Sequence, residues 1–211
     1  MKLYCLSGLG VDERAFQNIK ADGVELIHIA WIDPLPKETL EQYAKRLFDQ
    51  TSPEDGYNLL GVSFGGMIAT EFAKIKQPKK LFLISTMYQK SQLPTLLKIG
   101  SALGIYKVAP TGMVRSSNLI THYFFGTKNK EDKILLDEIL RNTDPIFLKW
   151  AMGAIVNWKN HEKPNGVIIH GTNDKMLPLK QEAQYKIDGG GHFMIVNRAD
   201  EISAILEKEG A

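Results

Sequence analysis

The chain has 211 residues, of which 44% are hydrophobic and 24% charged, and its net charge is +2. These values fit a folded globular protein of one domain, or one domain with a sizeable insertion, and give no strong electrostatic pull toward nucleic acid or acidic lipid. One cysteine, Cys5, excludes an intramolecular disulfide and a cysteine-based metal cluster.

Apolar runs and helical patterns alternate from the N-terminus. Residues 2–7 read as a buried strand that ends in a glycine-rich loop, Ser7-Gly8-Leu9-Gly10. Cys5, inside that strand, reads as a buried and inert thiol. Asp12 is placed to cap a helix over 13–20, with Glu13 in its first turn. Residues 24–31 form a second apolar run. Pro34 and Pro36 break the chain, and 37–50 has the spacing of an amphipathic helix with Leu40, Tyr43, Ala44 and Leu47 on one face. A third strand over 57–62 leads into a helical pattern over 64–76, and a fourth strand spans 80–85. Strands that are apolar throughout, alternating with helices, predict a parallel sheet covered on both faces.

The rhythm changes after Thr86. Helical patterns over about 93–103, 113–124, 130–141 and 145–158 fill an insertion of roughly 75 residues. Strands return at 166–170 and near 183–187, and a helix over 197–207 places Ile202, Ile205 and Leu206 on one side. The expected division is a core of 1–86 and 164–211 with a helical cap of 87–163 inserted in it. The N-terminus lacks the shape of a signal peptide, and no apolar segment reaches the length of a membrane span. The expectation is a cytoplasmic protein with neither nucleic-acid nor membrane partner.

The stretch that carries chemistry is Gly61-Val62-Ser63-Phe64-Gly65, between the third strand and its helix. A serine on so sharp a turn has its hydroxyl lifted clear of the sheet, and Gly61 and Gly65 remove the side chains that would crowd the turn. A serine hydroxyl is a weak nucleophile at neutral pH. It needs a base within hydrogen-bond reach and a carboxylate to orient that base. Of five histidines, His28 reads as an ordinary strand residue, His122 and His161 as structural or solvated residues of the insertion, and His170 as a packing or loop residue. His192 follows the last strand in Gly189-Gly190-Gly191-His192, a loop able to bring backbone close to another strand's end, and is the chosen base. Asp174, after the strand at 166–170, is the chosen acid. Asp188 is too near His192 in sequence, and Asp33 is the fallback. Backbone N–H groups of Phe64 and Leu9 are the expected donors to an oxyanion.

With Ser63, Asp174 and His192 in that order, the sequence resembles the α/β-hydrolase superfamily. The likeness covers 2–86 and 167–206, and its most specific parts are Gly61–Gly65, 171–178 and 190–192. The resemblance implies a three-layer α/β/α sandwich with a mostly parallel sheet of about six strands, lacking the first two edge strands of many members, and a helical cap over a serine hydrolase site. Ser7-Gly8 stands where members commonly carry His-Gly. The implied activity is hydrolysis of carboxylic esters or thioesters through an acyl-enzyme, with no cofactor and no metal, on a small-molecule substrate. Apolar insertion residues (Leu93, Leu96, Leu97, Ile99, Leu103, Phe124, Phe125, Phe147, Trp150, Met152, Ile155 and Trp158) favour an acyl or aromatic ester over a sugar or peptide. Lys149 and Arg115 read as solvated, or as readers of a substrate charge. A C–C hydrolase or lyase using the same triad, a ligand-binding or signalling protein on the same scaffold, and a flavodoxin-like module with Ser63-Phe64-Gly65-Gly66 around a phosphate remain open. Ser63 itself argues against a dehalogenase, which carries aspartate there.

Overall fold

The computed structural model describes residues 1–95, 98, 118–180 and 182–210. Six strands build one sheet: β1 (Lys2–Leu6), β2 (Glu25–His28), β3 (Asn58–Val62), β4 (Lys80–Ile84), β5 (Val167–Gly171) and β6 (Tyr185–Ile187). Their order is β2-β1-β3-β4-β5-β6, and every pairing is parallel. Strand order reverses between β1 and β3, so a crevice opens beyond their carboxyl ends.

The strands are apolar at successive positions because side chains alternate between two covered faces. Leu6, Leu59, Leu81, Leu83 and Ile168 enter one core, with α1 (Leu40–Thr51), α2 (Phe64–Ile75) and a later helix, α5 (Pro145–Asn157). Leu3, Cys5, Leu60, Phe82, Ile84 and Ile169 enter the other, beneath α7 (Ala199–Gly210) and the short α6 (Met194–Asn197). Burial pushes the Cys5 thiol well above its ordinary range, in keeping with an inert group.

Between β4 and β5 the described residues hold a 3-10 turn (Lys90–Gln92), no strand, and the α-helices α3 (Leu119–Phe125), α4 (Lys130–Asn142) and α5. Each α-helix starts on a side-chain cap. Asn118 accepts from the Ile120 and Thr121 N–H groups, Asn129 from Asp132 N–H at 2.7 Å, and Asp144 from Phe147 N–H at 2.7 Å. Most of the expected helix over 93–103 and the first part of that over 113–124 lie outside the described residues, as do Leu96, Leu97, Ile99, Leu103 and Arg115. The apolar α5 packs Phe147, Leu148, Ala151 and Ala154 inward, and Ile146 on its other side is 72% exposed. Among the described residues no helix is long and apolar enough to cross a membrane.

Three boundaries differ from the pattern. The helix expected over 13–20 is only a 3-10 turn, Glu13–Phe16. The residues after it bond to the C-terminal helices: Lys20 backbone N–H to Ser203 Oγ at 2.9 Å, and the Asn18 side-chain Nδ2 to Val196 O at 3.2 Å. The helix expected from 37 starts at Leu40, because Thr39 and Gln42 form a reciprocal capping box and Lys37 takes a left-handed φ of 62°. The second strand ends at His28, and Trp31 turns out of the sheet onto Phe64 and Phe147.

Candidate active site

Ser63 sits between β3 and α2 with φ 52° and ψ −117°, outside the regions that non-glycine residues prefer. The turn is tight because the first turn of α2 crosses the end of β1. A Cβ on Gly65 would lie 2.6 Å from the Leu6 carbonyl carbon and closer still to the Leu6 and Ser7 carbonyl oxygens. Ser63 precedes the first helical residue, yet its hydroxyl caps no α2 N–H group. Its Oγ instead meets His192 Nε2 at 2.9 Å. Thr86 Oγ1 donates to the Ser63 carbonyl at 2.5 Å and holds the turn from β4's side.

His192 and Asp174 complete the line. His192 Nδ1–H donates to Asp174 Oδ2 at 2.8 Å, and the Asp174 side chain is fully buried. A carboxylate oxygen only accepts, so the Nδ1 proton is fixed there and Nε2 presents a lone pair to the Ser63 hydroxyl. Asp174 Oδ1 accepts from Leu177 N–H at 2.9 Å. The glycine loop comes as close to β5 as expected: Asn173 N–H donates to Gly190 O at 2.9 Å, and a Cβ on Gly171 would lie 2.5 Å from the Gly190 carbonyl carbon. His192 is thereby brought beside Ser63 from 129 residues away.

The structure brings Ser63, Asp174 and His192 together, and leaves the other candidates apart. Asp33 is exposed, with its carbonyl held by Arg46 Nη2 at 2.7 Å. Asp188 is exposed and accepts from Thr172 Oγ1 at 3.3 Å. His28, at the end of β2, lies 3.4 Å from Ser7 Oγ, and burial lowers its pKa. His122 Nδ1 meets Thr127 Oγ1 at 2.9 Å inside the insertion, and His161 is exposed. Lys149 is exposed on α5.

Two backbone segments flank the serine. Phe64 opens α2, so its N–H has no acceptor within the helix. Its ring is held by Trp31, Phe147 and Trp150 at centroid distances of 5.5, 6.1 and 6.1 Å. The Ser7–Gly10 loop lies alongside, since a Cβ on Gly8 would sit 3.7 Å from Ser63 Cβ. The Ser7 hydroxyl donates to the Val11 carbonyl across that loop. Thr143, between α4 and α5, donates to the Gly10 carbonyl at 3.1 Å.

Several neighbours of the site carry no sequence signal for the contacts they make. Phe125 stacks edge-on against His192 at 5.6 Å, while its carbonyl accepts from Phe193 N–H at 2.9 Å. Thr86, Leu177 and Thr143 act through hydrogen bonds to the turn or loop, and nothing in their spacing marks them. His170, read as a packing residue, lies 3.5 Å from Asp174 Oδ2. Among the described residues no cluster of three His, Cys, Asp or Glu side chains could hold a metal ion. An apolar groove of about 1290 Å³ between Pro34–Glu41 and α5 contains none of the three site residues.

No protein-family model matches the chain, and no curated protein matches it. Solved structures do. A thermophilic esterase from Thermogutta terrifontis superposes with TM-score 0.75 at 14% identity, over 99% of this chain and 88% of that one. An esterase from Exiguobacterium antarcticum gives TM-score 0.75 at 15% identity, over 99% and 91%. An α/β-hydrolase family protein from Desulfitobacterium hafniense gives TM-score 0.63 at 15% identity, over 100% and 96%. With the all-parallel sheet and the strand order, these likenesses establish that the chain has the α/β-hydrolase fold.

Proposed function

We propose that the protein is a serine hydrolase that cleaves carboxylic esters or thioesters of a small, largely apolar acyl or aromatic substrate. The observation that carries this reading is the unbroken line Ser63 Oγ, His192 Nε2, His192 Nδ1, Asp174 Oδ2, with links of 2.9 and 2.8 Å. That order of donors and acceptors is what nucleophilic acyl transfer requires. The esterases among the structural neighbours support the same reaction class.

In the proposed reaction His192 Nε2 takes the Ser63 proton as Oγ attacks the carbonyl carbon. The oxyanion receives the N–H groups of Phe64 and Leu9, at the positive end of α2. Asp174 stabilises the imidazolium and keeps its orientation. The C–O or C–S bond then breaks, and His192 returns its proton to the leaving alcohol or thiol. Water, deprotonated by His192, attacks the acyl-enzyme, and the acid leaves with the Ser63 hydroxyl restored. Every step uses the chain's own side-chain and backbone groups and water, and the reading needs no cofactor. The helices between β4 and β5 form the proposed cap over this site. The apolar make-up of the insertion and the Phe125 ring beside His192 support an apolar substrate.

A fluorophosphonate probe tests the reading. The expected result is stoichiometric labelling of the wild type and none of folded Ser63→Ala. Wild-type protein that stays unlabelled while folded, or equal labelling of Ser63→Ala, refutes it. A chain-length series of chromogenic esters and thioesters then reads the acyl preference.

A further inference from the structure

His170 is the last side chain of β5 before Gly171, and it is 1% exposed. Its Nε2 lies 2.8 Å from the Leu177 carbonyl. A carbonyl only accepts, so Nε2 carries a proton and donates it there. Burial lowers the His170 pKa, which keeps the ring neutral despite the Asp174 carboxylate beside it. The second nitrogen, Nδ1, is then a bare lone pair, and it is buried with no hydrogen-bond partner among the described residues.

An orphaned buried acceptor is destabilising, and an apolar side chain of similar size would remove that penalty. What an apolar side chain could not do is hold Leu177. The Leu177 carbonyl accepts from His170, and the Leu177 N–H donates to Asp174 Oδ1 at 2.9 Å. The two bonds tie both backbone groups of one residue and close a ring of His170, Leu177 and Asp174. With Oδ1 committed to Leu177, only Oδ2 faces His192, at 2.8 Å. His170 Nε2 also stands 3.5 Å from that same Oδ2.

We propose that His170 is a positioning residue, which acts through the 174–177 turn to hold the Asp174 carboxylate with Oδ2 toward His192. The inference rests on the hydrolase reading above. It explains why β5 carries a polar ring inside the core at the one position that looks onto the acid. It also separates the two buried histidines on Asp174: His192 uses the carboxylate, and His170 fixes it.

The test compares wild type, His170→Gln, His170→Leu and Ser63→Ala on one chromogenic ester across pH. Glutamine keeps an uncharged N–H donor at similar reach, and leucine keeps only bulk. Turnover by Ser63→Ala equal to wild type would sink the hydrolase reading itself and is recognised by that variant alone. With Ser63→Ala inactive, His170→Leu is expected to lose roughly tenfold in kcat at unchanged KM, as for a misplaced catalytic group. Its acidic limb is expected to move to lower pH, because an imidazolium held less firmly by a carboxylate forms less readily. His170→Gln is expected to stay within about threefold of wild type. A wild-type kcat or an unmoved limb in His170→Leu, or a loss in His170→Gln as large as in His170→Leu, overturns the proposal. If His170→Leu does not fold, long-range ¹H–¹⁵N imidazole spectra of the wild type decide the matter. The expected ring at neutral pH is neutral with the proton on Nε2, and a proton on Nδ1 overturns it.

Discussion

Gly65→Ala sets two effects of known sign against each other. Gly65 is the second residue of α2, and alanine favours a helix over glycine by about 1 kcal/mol. The added methyl would sit 2.6 Å from the Leu6 carbonyl carbon, where ordinary contact begins near 3.4 Å. What it meets is backbone, so no rotamer change relieves the overlap. Leu6 is fully buried and paired in register with Gly61 on β3, so β1 cannot slide away without breaking the centre of the sheet. Overpacking against yielding neighbours costs about 1–3 kcal/mol, and this site belongs at the upper end. The net expectation is a loss of about 2 kcal/mol, roughly a 30-fold change in the folding equilibrium. Urea unfolding followed by circular dichroism measures it. Gly23→Ala, at φ 72° with nothing within 4 Å of the new methyl, is the control for left-handed backbone alone and should lose about 1 kcal/mol. A Gly65→Ala protein as stable as wild type, or more so, would mean that α2 does not cross β1 this closely, and the tight turn at Ser63 would lose its physical cause.

Three further outcomes follow from the same geometry. The Ser63 backbone at φ 52°, ψ −117° stores strain of about 1–3 kcal/mol, part of which glycine's greater unfolded-state freedom offsets. Ser63→Gly should therefore be more stable than Ser63→Ala by about 1 kcal/mol in parallel urea melts, with neither taking the fluorophosphonate; equal stabilities would remove the strain argument. The pKa values of His28 and His170 are both lowered by burial, so the unfolded chain binds more protons than the folded one below about pH 6.5. Their contribution to stability is complete above that pH and declines as pH falls toward the folded-state values. Urea midpoints should rise with pH from 5 to about 6.5 and level off above it, and His170→Gln should rise less steeply; a slope unchanged by that substitution refutes the assignment. Trp158, 1% exposed, donates its indole N–H to Glu71 Oε1 at 2.7 Å, and Lys74 Nζ reaches the same oxygen at 2.7 Å. Trp158→Phe should lose about 2 kcal/mol, the range of a hydrogen bond to a charged group, and a loss under about 0.5 kcal/mol would show that the carboxylate finds another partner.

Much of this architecture was legible locally. The strands announce themselves because both faces of the sheet are covered, which demands unbroken apolar runs such as Leu81-Phe82-Leu83-Ile84. The elbow announces itself because only glycine tolerates the close approach at Gly65. The helix over 13–20 stops at Phe16, and the Lys20 backbone N–H goes to Ser203 and the Asn18 side-chain amide to Val196, partners almost the whole chain away. The start of α1 shifted from 37 to Leu40 for a local reason, the Thr39–Gln42 box, which the chain spells out as Thr-x-x-Gln.

The sequence by itself determined the residue types of the candidate site, their order and the turns that carry them, because tight turns and buried strands restrict residues through sterics and desolvation acting over a few positions. Tertiary structure alone decided the distances at which His192 meets Ser63 and Asp174, that Phe125 lies against His192, and that His170 and Leu177 lie beside the acid. Those relations depend on the parallel register of β3, β4, β5 and β6, which brings the ends of strands more than a hundred residues apart to one crevice, and no periodicity along the chain encodes a distance across it.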